Sequence, residues 1–333
     1  MRIHSSLCLF FTFSPLLFSC TSRAKNPLPP ESADAASTEV ALKLAHDAAA
    51  PHEVAASTPD ASPTIDARPE AEDALATKEA PEGMLFVPGG TFTMGADRNG
   101  EEDEHPAHAV TLGSFFLDKT EVTNRAYDAC VAAKECHAKD RAIAEGEKGL
   151  FNLPNGPVVG VTAFDAEKYC AWKGKRLPRE AEFERAVRGD DGRKYPWGKD
   201  EPTLRHTVFG GKHPEEVGSH PLGKGPYGHD DLAGNVWEWL ADLYDPYAYK
   251  RANASKGEPG TCKEILEAQD ELRAQGKEGY TGSNPIPREC ERSIRGGAYN
   301  YDAFGLRSTN RVHHPPTFHL KMTGFRCAKD AER

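Results

Sequence analysis

The chain has 333 residues, of which 51 are acidic and 41 basic, so its formal net charge at neutral pH is −10. No part of it forms a basic stripe, and this charge balance argues against a nucleic acid as the partner. The length is enough for one large globular domain of about 250 residues beside non-globular segments.

The first twenty residues have the composition of an export signal. Arg2 precedes an almost wholly apolar run over residues 7–18, which is too short for a stable membrane span. The run ends in Leu-Phe-Ser-Cys, which resembles a bacterial lipobox, although Phe18 is bulkier than the usual residue. The resemblance implies cleavage after residues 1–19 and acylation of Cys20, which anchors the protein without spanning the membrane. The alternative is an ordinary signal in which the cysteine occurs by chance.

Residues 20–80 have the composition of a flexible tether. Ala, Pro, Ser, Thr and acidic residues dominate residues 21–80, aromatic residues are absent there, and no apolar period is long enough to build a core. Such a stalk would hold a domain away from a membrane. Thr21 after the cysteine implies the outer membrane of a Gram-negative cell. We therefore expect an exported, lipid-anchored envelope protein, facing the periplasm or the cell surface.

The globular domain is expected over residues 81–330 and begins with strands. Residues 84–95 contain two β-rich pieces around Pro-Gly-Gly, which predict a hairpin. Alternation predicts a strand at 110–117, and residues 157–162 predict a short strand.

Helices are predicted from capping residues and apolar spacing. Thr123 can cap a helix over residues 125–133. Thr162 or Asp165 begins a second helix, and Pro178 lies in the first turn of a third. Glu180 and Glu182 suit the positive end of that third helix and are expected to hold Arg176 and Arg188 in a structural network, with a catalytic role as the alternative. The apolar positions on one side of the second helix are Ala166, Tyr169, Cys170 and Trp172.

Three segments predict loops at the surface. Residues 97–108 are acidic and polar, and their two histidines leave a metal site as the alternative. Residues 134–156 resemble a variable loop. Residues 247–291 form an insertion, in which 264–275 has helical composition. The insertion is either the rim of a binding site or a surface excursion.

The most unusual segment is 228–242. A Gly-Asn pair lets the backbone turn, and Trp237 and Trp239 then alternate along an extended segment. Asp231 and Glu238, with main-chain carbonyls between them, offer the hard oxygen ligands that Ca²⁺ binds. The alternative is a turn into a buried aromatic strand, with its acids solvated.

Five segments together resemble the formylglycine-generating (sulfatase-modifying factor) family, and the resemblance covers about residues 81–330. It implies an α+β fold that is a complex variant of the C-type lectin fold, with few long regular elements and many loops. The segments are Gly-Asn-Val-Trp-Glu-Trp at 234–239, the strands at 84–95, residues 120–124, the Arg-Leu-Pro block at 176–198, and Arg-Gly-Gly at 295–297 with Gly-Phe-Arg-Cys at 324–327.

The resemblance also implies one calcium site. Its ligands would be the side chains of Asp231 and Glu238 and the backbone carbonyls of Gly234 and Val236. A second calcium site of the family is doubtful, because a histidine or threonine at 206–207 stands near the place of its first ligand.

Six cysteines remain after the signal and the lipidated position are set aside, an even number that suits an exported, oxidised protein. A metal site is the alternative, but no CxxC pair accompanies them. The expected disulfides are Cys130–Cys136 and Cys262–Cys290 from their spacing, and Cys170–Cys327 because the family has a disulfide at the matching positions.

The closing motif departs from the active members of the family. In formylglycine-generating enzymes two thiols shortly after the Gly-Gly bind Cu(I), and a serine precedes them. Here Ala298 stands at the serine position and Tyr301 at the first thiol, and no cysteine occurs between Cys290 and Cys327. We therefore expect neither copper nor copper-dependent oxidation.

Two functions from different classes remain. The first is an envelope-anchored binding or accessory module with a protein or small-molecule ligand. The second is a non-haem iron oxidoreductase of another branch, of the siderophore-maturation or sulfoxide-synthase kind. Its candidate ligands are His313, His314 and His319, near Tyr301 and Asp302. A formylglycine generator that works by another route is a third hypothesis.

Overall fold

The computed structural model describes residues 80–276 and 289–331, which form short strands, short helices and many loops. This mixture confirms the predicted α+β fold class. The predicted signal peptide at 1–19, the lipidation site Cys20 and the tether up to residue 79 lie outside the described residues. The strands are β1 Met84–Val87, β2 Gly90–Met94, β3 His108–Leu112, β4 Phe115–Asp118, β5 Trp237–Leu243, β6 Arg292–Arg295, β7 Val312–His314, β8 Thr323–Gly324 and β9 Ala328–Asp330.

The helices are short, and most of them lie in the first half of the domain. Among the described residues, no helix has the length and apolar character needed to cross a membrane. The α-helices are α1 Asn124–Ala132, α2 Arg141–Glu145, α3 Ala163–Trp172, α4 Glu180–Arg188 and α5 Cys262–Ala274.

The first four strands form one bent antiparallel arm. Strand β1 pairs with β4, and β2 pairs with β3. The hairpin predicted within residues 84–95 is therefore wrong, because each half pairs with a later strand. A Cβ on Gly89, at the bend, would lie 2.7 Å from the Ser114 backbone nitrogen, so only glycine fits there. The strand predicted at 110–117 likewise divides at Gly113 into β3 and β4.

Strand β5 lies inside the largest sheet. The order of this sheet is β7-β6-β5-β8, with β5 antiparallel to β6 and parallel to β8. Another sheet has the order β1-β4-β9, so the end of the domain pairs with its beginning. Trp237 and Trp239 of β5 pack into one hydrophobic cluster with α1 and α3, and Leu240 packs into a second cluster with α4 and the N-terminal strands. The central strand therefore joins the two parts of the core.

Side-chain caps begin α1 and α3 as predicted. Thr123 Oγ1 accepts a hydrogen bond from the Ala126 backbone nitrogen at 3.2 Å. Thr162 and Asp165 form a reciprocal capping box, with two hydrogen bonds of 3.1 Å. Trp172, at the last residue of α3, is 36% exposed, and its ring packs against the buried Tyr169 with a centroid distance of 5.8 Å.

Helix α4 is buried along its whole length. Pro178 precedes the N-cap residue Arg179 and is not in the first turn, so that placement was wrong. Glu182 accepts hydrogen bonds from the Arg179 backbone and from two guanidinium nitrogens of Arg176, at 2.8, 2.7 and 2.8 Å. Glu182 therefore has the structural role predicted with Arg176. Arg188 instead binds Glu184, at 3.0 Å.

The predictions for the strand at 157–162, the loop at 134–156 and the insertion had different outcomes. Residues 157–162 form no strand, only an isolated bridge at Pro157. Residues 134–156 contain α2 and a 3₁₀ segment over Gly146–Asn152. The helix expected within the insertion is α5, while residues 277–288 of the insertion lie outside the described part.

All three expected disulfides are present, with Cα–Cα separations between 5.3 and 5.7 Å. The prediction of an oxidised cysteine framework is confirmed. The pairs are Cys130–Cys136, Cys170–Cys327 and Cys262–Cys290.

Candidate functional site

The loop before β5 has an unusual backbone. Asp231, Gly234 and Asn235 have φ values of 56°, 86° and 58°, in the left-handed region that most side chains avoid. A Cβ on Gly234 would lie 2.2 Å from Thr207 Oγ1, so a larger residue does not fit. The Gly234 backbone nitrogen donates to the Gly296 carbonyl at 2.8 Å. This bond ties the central motif to the Arg-Gly-Gly segment.

Glu238 and Arg326 form a fully buried ion pair beside this loop. Arg326 Nε and Nη2 donate to the two carboxylate oxygens of Glu238 at 2.7 and 2.8 Å. The same guanidinium donates to the backbone carbonyls of Asp230 and Asp231 at 3.1 and 3.2 Å. The alternative that these acids are simply solvated is therefore wrong, since Glu238 is 0% exposed.

Two more buried carboxyl groups, Glu121 and Asp231, lie in the field of Arg326. Burial raises the pKa of both, and the nearby Asp231 raises the pKa of Glu121 further. Glu121 Oε1 accepts from Asn235 Nδ2 at 3.1 Å, and the Glu121 carboxyl group also forms a side-chain hydrogen bond with Asp231. With Glu238, three acids share one guanidinium, so the ionised cluster has an excess of negative charge.

Asp231 and Glu121 have the hard oxygen donors that calcium binds, whereas both oxygens of Glu238 already accept hydrogen bonds from Arg326. Asp231 Oδ2 accepts from the Gly218 backbone nitrogen at 2.6 Å, but each carboxylate oxygen keeps a second lone pair for a cation. Glu121, which the sequence motifs did not single out, adds a buried carboxyl group next to Asp231. Near the doubtful second site, the Thr207 hydroxyl donates to the Ala233 carbonyl. The calcium ligands Asp231, Gly234, Val236 and Glu238 remain a prediction.

The arginines of the closing motifs each bind a buried acid from an earlier segment. Although burial of Glu180 opposes its ionisation, the Arg311 and Arg295 guanidinium groups lower its pKa to about 2. Glu180 is therefore a fixed anion and is not suited to proton transfer near neutral pH. The pairs are Arg295 with Glu184, Arg307 with Glu104, Arg311 with Glu180, and Arg326 with Glu238.

A cavity of about 500 Å³ lies where the closing loop passes β5. Trp237 lines it and is 1% exposed, and its indole Nε1–H has no acceptor among the described residues. The Tyr301 ring meets the Trp237 ring edge-on, with a centroid distance of 5.2 Å and an interplanar angle of 88°. The other lining residues are Glu101, Asn300, Asp302, Phe304, Gly305, Asn310 and Val312.

The two positions matched to the family's active site have different environments. Tyr301 lies at the cavity and is 37% exposed, whereas Ala298 is fully buried and packs in the core. All six cysteines of the described part are in disulfides. No thiol of this part is therefore available for a soft metal, and the residues present do not fit copper.

The histidines proposed as iron ligands have other partners. His313 Nδ1 bonds to Glu291 Oε2 at 2.6 Å, and the His314 ring faces Phe318 with a centroid distance of 6.2 Å. The residue of this strand that lines the cavity is Val312. Among the described residues, the structure does not gather His313, His314 and His319 with Asp302 into a metal-binding group.

In the described part, the group of side chains close enough to hold a metal consists of Glu101, Asp103 and Glu104, whose ligand atoms lie within 4.8 Å of one another. The surface loop predicted here is wrong for Asp103 and Glu104, which are both 0% exposed. Tyr244 donates to Asp103 at 2.6 Å, and Arg307 donates to both oxygens of Glu104 at 2.7 Å. These partners come from distant parts of the sequence, so local polarity could not predict the burial.

Known relatives cover most of the domain. The serine/threonine-protein kinase pkn1 of Chlamydia caviae is 34% identical over 260 residues, covering 74% of this chain and 38% of the kinase. The chain thus corresponds to well under half of that relative's length. The formylglycine-generating enzyme of Thermomonospora curvata is 33% identical over 311 residues, covering 76% of this chain and 95% of the enzyme.

Three further comparisons describe a relative, a solved structure and the family. The "inactive C-alpha-formylglycine-generating enzyme 2" of Mus musculus is 33% identical over 214 residues, covering 49% of this chain and 70% of that protein. The structure of PvdO from Pseudomonas aeruginosa is 26% identical with a TM-score of 0.57, covering 74% of this chain and 94% of PvdO. A family model described as "Sulfatase-modifying factor enzyme 1-like domain" matches residues 70–331. The chain therefore belongs to the sulfatase-modifying factor (formylglycine-generating enzyme) family.

Proposed function

We propose that this protein is an envelope-anchored binding or accessory module that has the family fold without copper-dependent formylglycine-generating activity. One observation carries the proposal. At the place of the family's first thiol, Tyr301 lies beside a cavity with aromatic and polar walls, and every cysteine of the described part is in a disulfide. Such a cavity has the size and wall chemistry of a small-molecule site.

A lipid anchor at Cys20 and a structural calcium ion belong to the proposed protein. Cleavage before Cys20 and its acylation would attach the domain to the outer membrane, with residues 20–80 as the tether. Calcium at Asp231, Gly234, Val236 and Glu238 would be structural, because it would offset the excess negative charge around Arg326. Metabolic labelling with a radioactive fatty acid tests the anchor. The label should enter the wild type and be lost in Cys20→Ser.

The absence of copper chemistry is tested directly on the full chain purified in detergent. The protein is incubated with Cu(I), oxygen and a cysteine-containing peptide, beside an active family member as the positive control. We expect no bound copper after desalting and no aldehyde product in the peptide by mass spectrometry. Stoichiometric copper together with aldehyde formation would refute the proposal.

A non-haem iron oxidoreductase is the second candidate function. One observation favours it, namely the grouping of Glu101, Asp103 and Glu104 beside the cavity. Glu104 is a poor ligand for the metal, because its two oxygens already bind Arg307. Stoichiometric iron that is lost in Asp103→Asn, with oxygen uptake on adding reductant, would establish this function in place of the binding module.

A further inference from the structure

We propose that the cavity beside Trp237 and Tyr301 binds a small organic ammonium ion. This inference rests on the proposed binding function and names the chemical class of its ligand. The walls combine acidic groups with aromatic rings, and no lining residue is Lys, Arg or His.

The charge of the walls favours a cation. Glu101 and Asp302 line the cavity, and the nearby Arg307 is paired through two hydrogen bonds of 2.7 Å with Glu104. The guanidinium charge is therefore balanced by Glu104, and the exposed Asp302 carboxylate gives the lining a negative charge. A concave site lined by one sign of charge concentrates ions of the opposite sign.

The aromatic rings favour an organic cation over a metal ion. Trp237, Tyr301 and Phe304 offer ring faces and edges and no oxygen ligands apart from the phenol, whereas calcium and magnesium need several oxygens. An ammonium group is attracted to an aromatic face within about 6 Å of its centroid, most strongly for tryptophan. One face of Phe304 is already covered by Arg307, at 3.8 Å, and Trp237 is 1% exposed, which leaves Tyr301, 37% exposed, as the principal ring.

The polar groups require the ligand to carry a hydrogen-bond acceptor as well. The buried Nε1–H of Trp237 has no acceptor among the described residues. A buried donor without an acceptor is costly, and a hydroxyl or carbonyl of the ligand would satisfy it. The carboxamides of Asn300 and Asn310 line the same space. The ligand class is therefore a compact ammonium compound with a neutral oxygen, small enough for about 500 Å³.

Calorimetric titration of the full chain in detergent, with calcium present throughout, tests this assignment. Choline and ethanolamine are compared with 3,3-dimethylbutan-1-ol, which has the shape of choline and no charge. We expect choline or ethanolamine to bind at least about tenfold more tightly than the neutral alcohol, with the preference reduced by salt.

Matched variants locate the binding. Tyr301→Leu and Asp302→Asn should each weaken the ammonium ligand by about tenfold, while Tyr301→Phe retains it. Asp200→Asn, which removes an exposed carboxylate that does not line the cavity, should change nothing. Equal binding of the neutral alcohol, or no saturable binding of either amine, overturns the inference. If the alcohol binds and Tyr301→Leu abolishes its binding, the cavity remains a ligand site and the proposed function stands.

Discussion

Replacing Arg326 by methionine is the most direct test of how the central motif is stabilised. Arg326 is 0% exposed and donates to both oxygens of Glu238 and to four backbone carbonyls. Its loss leaves the buried acids Glu121, Asp231 and Glu238 without a counter-charge. Breaking a buried ion pair in this way costs about 3–5 kcal/mol. For a domain of this size, that lowers the melting temperature by roughly 6–20 °C.

Thermal unfolding with the disulfides intact measures this effect, and Arg141→Met is the matched control. Arg141 pairs with Glu145 on the surface, where its side chain is 86% exposed, so we expect a change below about 0.5 kcal/mol. The decrease in melting temperature caused by Arg326→Met should be smaller at pH 5 than at pH 8. Burial raises the pKa values of Glu121, Asp231 and Glu238 in the folded protein. Protonation of these acids therefore stabilises the folded state at low pH, and this stabilisation is lost as the pH rises. Equal melting temperatures for the two variants would refute the reasoning.

Two further outcomes follow from buried carboxyl groups. Burial and then Glu180 raise the pKa of Asp242 to about 7, so the contribution of this carboxyl group to the free energy of unfolding should fall as the pH rises from 5 to 8. Asp242→Asn removes this contribution, so its free energy of unfolding relative to the wild type should rise between pH 5 and pH 8 in denaturant titrations. A difference that stays constant over this range would contradict the raised pKa of Asp242. Calcium at one hundred times its dissociation constant should stabilise the wild type by about 2.7 kcal/mol. Asp231→Asn should lose most of this gain, and an equal calcium response in both proteins, measured by calorimetry, would exclude the predicted site.

Local chemistry was sufficient to predict the helices that begin with a capped residue. Thr123 and the Thr162–Asp165 box fix their helix starts through contacts within one turn, so the sequence contains the whole signal. The disulfide Cys170–Cys327 spans 157 residues and was expected only through the family resemblance. The fold class and the match of Ala298 and Tyr301 to the family's active-site positions likewise depended on matching motifs.

Pairings over long distances could not be predicted from local patterns. The pieces of 84–95 have strand composition, but their partners are at 108–118, and the close approach of Gly89 to Ser114 excludes a local hairpin. The cavity brings Glu101 beside Phe304, about two hundred positions apart. Glu101 lies in a polar acidic run, where nothing in the sequence distinguishes a lining residue from a solvated one.

The geometry also explains how the family's thiols can be absent while the fold remains. The closing loop is held at both ends by buried arginines, Arg295 on Glu184 and Arg311 on Glu180. Between these ends, residues 300–302 and Phe304 are exposed and line the cavity without taking part in those ion pairs. Substitutions in this stretch can therefore change the ligand at little cost in stability, whereas substitutions of the arginines cannot. Tyr301→Leu should accordingly alter binding and leave the melting temperature within about 2 °C of the wild type, as expected for a surface substitution.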